Sequence, residues 1–310
     1  MDERRIIDLH CDTLTLCRDE KLDITSDRLH INLNKLPEGY RWCQAFAIFM
    51  PDAYRGRAAV EYFNALLETY RQQMCKHRNR IRTVERLKCI DQALDCCKWA
   101  AFLTVEGGSA LAGELSRVAV LYEAGVRIMT LTWNAANEIA GGAATDEGFT
   151  PFGRQAVGEM ERLGMAVDVS HLSDRAFWEL CEFATKPFLA THSNSRVICP
   201  HRRNLTDAMF DEIVRRGGIV GMNYYRPFIR EDGEHGTVKD LLYHIHHFLE
   251  RGGENTIALG SDYDGADVPD YLHGVGTVDF LVQAMLKSGI PQQVVDKILF
   301  QNARNYLANL

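Results

Sequence analysis

The sequence lacks the cysteine spacing of a zinc ribbon or of a small disulfide-rich domain. Its nine cysteines include the neighbours Cys96 and Cys97, but no two of them form a CxxC pair. Both kinds of framework depend on cysteines at such regular spacings. We therefore expect free thiols in a reducing compartment.

Excess positive charge and long apolar runs are also missing. The chain carries 35 Lys and Arg against 42 Asp and Glu, a formal net charge of -7, so no basic field attracts phosphate backbones or anionic lipid. No apolar run approaches the length of a membrane span, and the charged start, Met1 to Arg5, leads directly into a strand-like segment. We expect a soluble cytoplasmic protein without a signal peptide, and neither nucleic acid nor a membrane as a partner.

Short apolar runs alternate with longer helical patterns along the 310 residues. The runs span residues 5–9, 42–49, 100–105, 128–133, 165–169, 187–191, 218–224 and 256–260. The helical patterns cover 57–78, 111–124, 155–163, 206–216 and 238–251, and a last one covers 291–310. Eight alternating units predict an α/β fold, a closed (β/α)8 barrel of the TIM type. We predict one such domain over residues 1–310, with the last pattern as a closing C-terminal helix.

Acidic residues and histidines follow five of these predicted strands. They are His10 and Asp12 after the first run, Glu106 after the third, His171 after the fifth, His192 after the sixth, and Asp262 and Asp264 after the eighth. Side chains at the C-terminal ends of barrel strands converge on one pocket. Imidazole nitrogen and carboxylate oxygen suit zinc where thiolate is absent, and a carboxylate can bridge two ions. The joint pattern predicts a metal site, although each residue alone has a structural explanation, such as a turn cap for Asp12.

Two further groups of residues allow a functional interpretation. Arg202 and Arg203 follow the sixth predicted strand, where a guanidinium fork can hold a substrate carboxylate or where the pair can lie in solvent. His244, His246 and His247 fall inside the predicted helix 238–251, away from any strand end. We expect these three histidines to be structural or surface residues.

Several segments stand out by their sequence, and they read IDLHCD at 7–12, VEGG at 105–108, FTPFGR at 149–154, GMAVDVSH at 164–171, THS at 191–193, RRN at 202–204 and GSDYDG at 260–265. These segments resemble the renal (membrane) dipeptidase family of zinc metallopeptidases, which has an amidohydrolase-like barrel. They follow one another in the family's order over almost the whole chain, which makes the resemblance specific.

The resemblance implies a zinc-dependent dipeptidase with two Zn²⁺ per chain, expected to act as a homodimer. It leaves open whether dipeptides with a C-terminal D-residue are substrates. Asp262 corresponds to the family's catalytic acid/base, and Arg203 to the arginine that binds the substrate's C-terminal carboxylate. The metal ligands it implies are His10 and Asp12 on one ion, His171 and His192 on the other, and Glu106 as the bridge between them.

One position departs from the family's pattern. Mammalian members have a histidine after the fourth strand that contacts the substrate, whereas Trp133 stands here in the sequence LTWN. We expect metal binding to survive this change and the shape of the pocket to differ. The residues leave two alternatives open, which are another metal-dependent amide, lactone or ester hydrolase on the same barrel and a non-catalytic metal-binding relative.

Overall fold

The computed structural model describes residues 3–310, in which the buried apolar runs form one parallel sheet. Its order is β6-β5-β4-β2-β1-β8-β7, and β3 pairs with β4 alone beside this path. The strands are β1 Arg4–Asp8, β2 Tyr40–Phe49, β3 Ile81–Thr83, β4 Trp99–Glu106, β5 Val126–Thr130, β6 Ala166–Asp168, β7 Val220–Met222 and β8 Ile257–Leu259.

Residues 189–190 close the sheet into a barrel. Leu189 bridges to Asp168 at the end of β6, and Ala190 bridges to Val220 in β7, both in parallel. A side chain on Gly221 would place its Cβ 1.9 Å from the carbonyl oxygen of Thr191, so this close approach of backbones requires glycine. The predicted barrel is confirmed, with two differences. The sixth run makes only isolated bridges, and the three-residue β3 was not predicted.

Helices alternate with the strands and surround the sheet. Four predicted helices, 57–78, 155–163, 206–216 and 238–251, agree with the structure to within four residues at each end. The predicted helix 111–124 begins only at Ser116, and the last predicted helix, 291–310, is divided by a π-helical segment, Lys297–Gln301. Caps mark some of the starts. The Thr206 hydroxyl accepts from Met209 N–H, and Thr237 forms a capping box with Asp240. The helices are α1 Thr13–Asp19, α2 Gly56–Lys76, α3 Ile90–Cys96, α4 Ser116–Glu123, α5 Pro151–Leu163, α6 Asp174–Phe183, α7 Asp207–Arg216, α8 Arg226–Ile229, α9 Val238–Glu250, α10 Val278–Lys287, α11 Gln292–Asp296 and α12 Asn302–Leu307.

Alternate strand residues are buried in two different apolar clusters. Ile6 and Phe46 belong to the larger cluster with helix residues such as Phe63, as expected for the layer between sheet and helices. The smaller cluster fills the barrel interior with residues such as Ile7 and Phe102. It also contains Ala303, Tyr306 and Leu307, so α12, the last part of the predicted closing segment 291–310, covers the end of the barrel opposite the strand C-termini.

Two expectations about the whole chain can be compared with the structure. All nine cysteines are unpaired, in agreement with the prediction of free thiols. Within residues 3–310, every helix is too short or too polar to cross a membrane.

Candidate metal and active site

The residues singled out at the predicted strand ends meet at one mouth of the barrel. Glu106 is the last residue of β4, and the others lie two to five residues beyond a strand or beyond the bridging segment 189–190. His10, Asp12, Glu106, His171 and His192 are all buried, and Asp262 is mostly buried. The convergence arises because parallel strands present their C-terminal ends on the same side.

Glu106 lies at the centre of this cluster, between three imidazoles. One carboxylate oxygen is 2.7 Å from Nε2 of His171 and 3.3 Å from Nε2 of His192. The other oxygen is 3.4 Å from Nε2 of His10. The two oxygens of one carboxylate therefore face two different sets of ligands, which is the arrangement that a bridging carboxylate requires.

Two sets of donor atoms are close enough to hold a cation. The first joins His10, Glu106 and His192, and the second joins His10, Asp12 and Asp262, with all atoms of each set within 4.8 Å of one another. Nε2 of His10 is 3.6 Å from Asp12 Oδ2 and 3.8 Å from Asp262 Oδ1. Asp262 thus lies beside the His10 and Asp12 pair, next to the ligands that the resemblance implies.

The donor set fits a metal centre on its own chemistry. Nδ1 of His171 is 3.0 Å from the amide oxygen of Asn134, so Nδ1 donates and Nε2 carries the lone pair. That nitrogen lies 3.1 Å from Nε2 of His192. In addition, Nε2 of His10 and Oδ1 of Asp12 are buried without a hydrogen-bond partner. Acceptor atoms crowded in a buried space are stabilised by a cation, and imidazole with carboxylate matches divalent zinc.

The electrostatics keep two of the imidazoles neutral. Burial and the nearby Arg203 guanidinium lower the pKa of His171 to about 4, and burial together with His10 lowers the pKa of His192 well below its ordinary value. Burial raises the pKa of Glu106, but the neighbouring His10 outweighs it and holds that pKa well below the ordinary range. His171, His192 and Glu106 are therefore in the forms that coordinate metals. His10 differs, because burial lowers its pKa but Glu106 and Asp12 outweigh burial and hold that pKa well above the ordinary value, so this ring must release a proton to bind a metal.

Backbone conformation at the site is unusual. His171, Asp262 and Asp264 have φ angles of 69°, 62° and 67°. These angles lie in the left-handed region, which residues other than glycine rarely adopt. Strain of this kind persists where the surrounding structure enforces it, and it concentrates at functional sites. Gly265 is required for a different reason, since a Cβ there would lie 1.9 Å from Oδ2 of Asp12.

The two candidate arginines, Arg202 and Arg203, differ in burial and in their hydrogen-bond partners. Arg203 is buried, and its guanidinium donates to His192 O at 3.3 Å and to the Ser193 hydroxyl at 3.5 Å. Its Nε has no partner, and burial lowers its pKa to about 10. Arg202, in contrast, is 57% exposed and pairs with Asp146 at 2.5 Å.

A cavity of about 720 Å³ opens beside the cluster. Trp133 forms part of its wall, with its ring centroid 5.0 Å from that of Phe49 and 6.4 Å from that of His171. Charged and metal-site residues therefore share the cavity with aromatic rings. The lining includes Asp12, Thr15, Phe49, Glu106, Trp133, Asn134, His171, His201, Arg203, Tyr225, Phe228, Asp262, Asp264, Gly265, Ala266 and Asp267.

Other residues differ from what the sequence pattern suggested. Asp264 also follows β8, but its carboxylate already accepts hydrogen bonds from the Thr13 hydroxyl at 2.6 Å and from the backbone N–H of His30 at 2.7 Å. These bonds hold the loop around His30 in place. Asn223, which the sequence reasoning missed, donates to Asp262 Oδ2 at 3.0 Å. Its position just after β7 is the one signal that could have identified it.

The three histidines of α9 lie outside the cluster, as expected. His244 is buried between the backbone N–H of Ser195 and the carbonyl of Ile229. His246 bonds to the Ser288 hydroxyl and His247 to Asp207. Their contacts are structural.

A parallel barrel with buried imidazoles and carboxylates at its strand C-termini defines a metal-dependent hydrolase of the amidohydrolase-like class. The family is narrower than this class. The family described as membrane dipeptidase (peptidase family M19) matches residues 1–307, and the chain belongs to it. Membership makes the protein a metallopeptidase of the dipeptidase type and therefore a hydrolase.

Individual relatives agree with this assignment. An uncharacterized dipeptidase of Schizosaccharomyces pombe is 33% identical over 256 residues, which are 76% of this chain and 61% of that protein. The crystal structure of dipeptidase AC, of family M19, has a TM-score of 0.92 at 26% identity and covers 99% of this chain and 98% of its own. A Rhodobacter sphaeroides metallopeptidase, crystallised with a phosphinate mimic of L-Ala-D-Ala, has a TM-score of 0.91 at 25% identity and 99% coverage of both chains.

Proposed function

We propose that the protein hydrolyses the peptide bond of dipeptides with two zinc ions, which Glu106 bridges. His10 and Asp12 would hold one ion, and His171 and His192 the other. The position of Glu106 carries this proposal, since its two oxygens face His10 on one side and His171 with His192 on the other. When bound, zinc lowers the pKa of a water molecule and polarises the scissile carbonyl.

Asp262 would act as the general base and then as the general acid. Asn223 donates to Oδ2, which holds the carboxylate so that Oδ1 faces the cluster, 3.8 Å from His10 Nε2. Burial raises the pKa of Asp262 above its ordinary value, so the carboxylate takes up a proton more readily than an exposed one. It would accept a proton from the attacking water and pass it to the leaving amine.

Arg203 would bind the substrate's C-terminal carboxylate. Its guanidinium is buried and lines the same cavity as Glu106 and Asp262, and its Nε lacks a partner within the protein. A bidentate bond from this fork fixes the distance between the terminal carboxylate and the scissile carbonyl. The geometry would select substrates that end one residue beyond the cleaved bond.

Dipeptides with a C-terminal D-residue are included in the proposal. The Rhodobacter sphaeroides relative binds a phosphinate mimic of L-Ala-D-Ala, which supports a site of this kind in a protein of the same fold. In this chain Trp133 and Phe49 shape the cavity wall near His171. We expect this wall to influence which side chains are preferred.

Metal analysis combined with a substrate panel tests the proposal. The purified protein should contain two zinc ions per chain and should cleave free L,L and L,D dipeptides. Dipeptides with an amidated C-terminus should react poorly, because they lack the charge that Arg203 would bind. Hydrolysis of lactones or esters without cleavage of any dipeptide would favour another hydrolase, and bound metal without any hydrolysis would favour a non-catalytic relative.

A homodimer is part of the proposal only through the family resemblance. Light scattering on the purified protein measures the mass in solution and tests this point directly.

A further inference from the structure

Asp168, at the end of β6, is a buried carboxylate with an unusually complete set of donors. Its Oδ1 accepts the backbone N–H groups of Ser170 and Thr191, each at 2.9 Å. Its Oδ2 accepts the hydroxyls of Thr130 and Thr191, each at 2.5 Å. Asp168 is fully buried and is not among the residues that line the cavity.

The hydroxyl of Thr191 connects this carboxylate to a ring of the site. Thr191 Oγ1 lies 2.7 Å from Nδ1 of His192. The Thr191 hydroxyl has a single proton to donate, whereas a carboxylate has no proton and can only accept hydrogen bonds. The Thr191 proton therefore points to Asp168, and the hydroxyl oxygen is left to accept from the ring.

The direction of this bond decides the tautomer of His192. Nδ1 carries the proton and donates it to Thr191, so Nε2 carries the lone pair. Nε2 is the atom that faces Glu106, at 3.3 Å. A metal ligand must present an unprotonated nitrogen, and the partner of the other ring nitrogen selects which one it is.

We propose that Asp168 and Thr191 are positioning residues, which act as a relay that holds His192 in the tautomer able to bind metal. The consequence for zinc rests on the proposed function, in which His192 is a ligand. The tautomer itself follows from the contacts of Asp168, Thr191 and His192 alone, so the two statements can fail separately.

Asp8 provides a matched comparison inside the same barrel. It ends β1, and its Oδ1 accepts the backbone N–H of His10 at 3.2 Å and of Ser261 at 3.0 Å. Asp8 thus ties β1 to the end of β8 as Asp168 ties β6 to residues 189–191. However, its Oδ2 is buried without any partner, so no hydroxyl relay leads from it to an imidazole.

Substituting asparagine for Asp168 and, separately, for Asp8 distinguishes the effect of the relay on zinc binding from the general effect of losing a buried charge. In both variants the amide oxygen can keep the two backbone bonds. In Asp168→Asn the new NH₂ group must donate to Thr191, whose own proton then turns to Nδ1 of His192 and forces the proton of the ring onto Nε2. Asp8→Asn also removes a buried charge at a strand end, and it reverses no hydrogen bond to an imidazole.

The experiment compares wild type, Asp168→Asn, Thr191→Val, Thr191→Ser and Asp8→Asn. Metal-free proteins are titrated with zinc against a chromophoric chelator, which reports each binding step without reference to activity. Long-range ¹H–¹⁵N spectra of the histidine rings give the tautomers, and His192→Gln assigns the signal. Circular dichroism shows whether each variant folds.

Wild type should bind two zinc ions, with His192 protonated at Nδ1 in the metal-free protein. Asp168→Asn and Thr191→Val should bind one zinc roughly 10–100-fold more weakly, the range typical of partners behind a metal ligand. Thr191→Ser keeps the hydroxyl and should match wild type, which a loss of packing alone would not explain. Asp8→Asn should retain the affinity for this zinc.

Three results would overturn the inference. They are a wild-type ring protonated at Nε2, unchanged zinc binding in both Asp168→Asn and Thr191→Val, and an equal loss of the same zinc in Asp8→Asn. If Asp168→Asn does not fold, Thr191→Val and the wild-type spectrum still decide. A wild-type protein that binds no zinc would reject the proposed function, whereas its ring spectrum would still show whether the relay exists.

Discussion

Glu106 places one carboxylate oxygen 2.7 Å from Nε2 of His171 and turns the other towards the opposite half of the site. We predict that Glu106→Gln lowers the zinc content by at least one ion per chain, because an amide has one acceptor oxygen and no charge to share between two cations. The loss of turnover should exceed the roughly 10–100-fold effect of residues behind the ligands.

Elemental analysis after dialysis, together with dipeptide hydrolysis, measures both effects. Glu250→Gln, an exposed position in α9, is the control and should behave as wild type. Two tightly bound zinc ions in Glu106→Gln would contradict the bridge.

Asp262→Asn should separate metal binding from proton transfer. His10, Asp12 and Glu106 are unchanged in this variant, so zinc should remain bound. An amide cannot take a proton from water, and kcat should fall by about 10²–10⁴-fold. Asp267→Asn changes an exposed carboxylate of the same cavity and should keep kcat within a small factor. Full activity in Asp262→Asn would remove it from the mechanism.

Arg203→Lys should weaken substrate binding selectively. Lysine keeps the positive charge but loses the planar fork, so kcat/KM for free dipeptides should fall by roughly 10–100-fold, in line with about 1.5–3 kcal/mol for bonds to charged groups. Dipeptide amides, which have no carboxylate, should lose much less. Arg202→Lys is the neighbouring control, since Arg202 is exposed and paired with Asp146. An equal loss for free and amidated substrates would argue against carboxylate binding.

Much of the barrel could be predicted because each buried parallel strand is a short apolar run between helical patterns. The three residues of β3 are too few for such a pattern, and residues 187–191 form bridges without a regular strand. These features depend on partners that are distant in sequence, such as the close approach of Thr191 to Gly221. Periodicity carries no information about them.

The candidate site was predictable where charge and strand ends coincide, as at His10 and Glu106. Asn223 was missed because an uncharged amide after a strand looks like any loop residue. The strand-end pattern alone did not separate Arg202 from Arg203, and only the family resemblance selected Arg203, which the structure buries while Arg202 is exposed. Asp264 was included in the strand-end pattern, but its carboxylate accepts hydrogen bonds from Thr13 and His30 instead of joining the cluster. Charge at a strand end does not reveal such local hydrogen bonds.

Gly265→Ala should displace Asp12 from the site. The added Cβ would lie 1.9 Å from Asp12 Oδ2, so the carboxylate must move. We expect weaker binding of one zinc ion, lower turnover, and a loss of stability of about 1–3 kcal/mol if the backbone shifts as well. Gly158→Ala is the control, because this helical position has open space around it, and alanine there should stabilise by roughly 0.5–1 kcal/mol. Zinc affinity equal to wild type in Gly265→Ala would show that Asp12 contributes little to binding.

His244 should make the stability of the metal-free protein depend on pH. Burial is the main cause that lowers its pKa to about 4, and its Nδ1 accepts the Ser195 N–H at 3.1 Å while Nε2 donates to the Ile229 carbonyl at 2.9 Å. In the unfolded chain the pKa of histidine is about 6.5. Between these two values the unfolded state binds more protons, so the stability from this residue is complete above about pH 6.5 and is lost as pH falls towards 4.

Urea unfolding of the metal-free protein at pH 7.5 and pH 5 measures this effect. His244→Gln should be less stable than wild type at pH 7.5 but should lose less stability on acidification, by an amount on the order of 1–2 kcal/mol. His246→Gln, on the same helix and bonded to the Ser288 hydroxyl, should keep the wild-type dependence on pH. The other buried histidines are common to all three proteins, so the difference between variants isolates His244. The same loss of stability between the two pH values in His244→Gln and wild type would show that this ring is not the group that titrates.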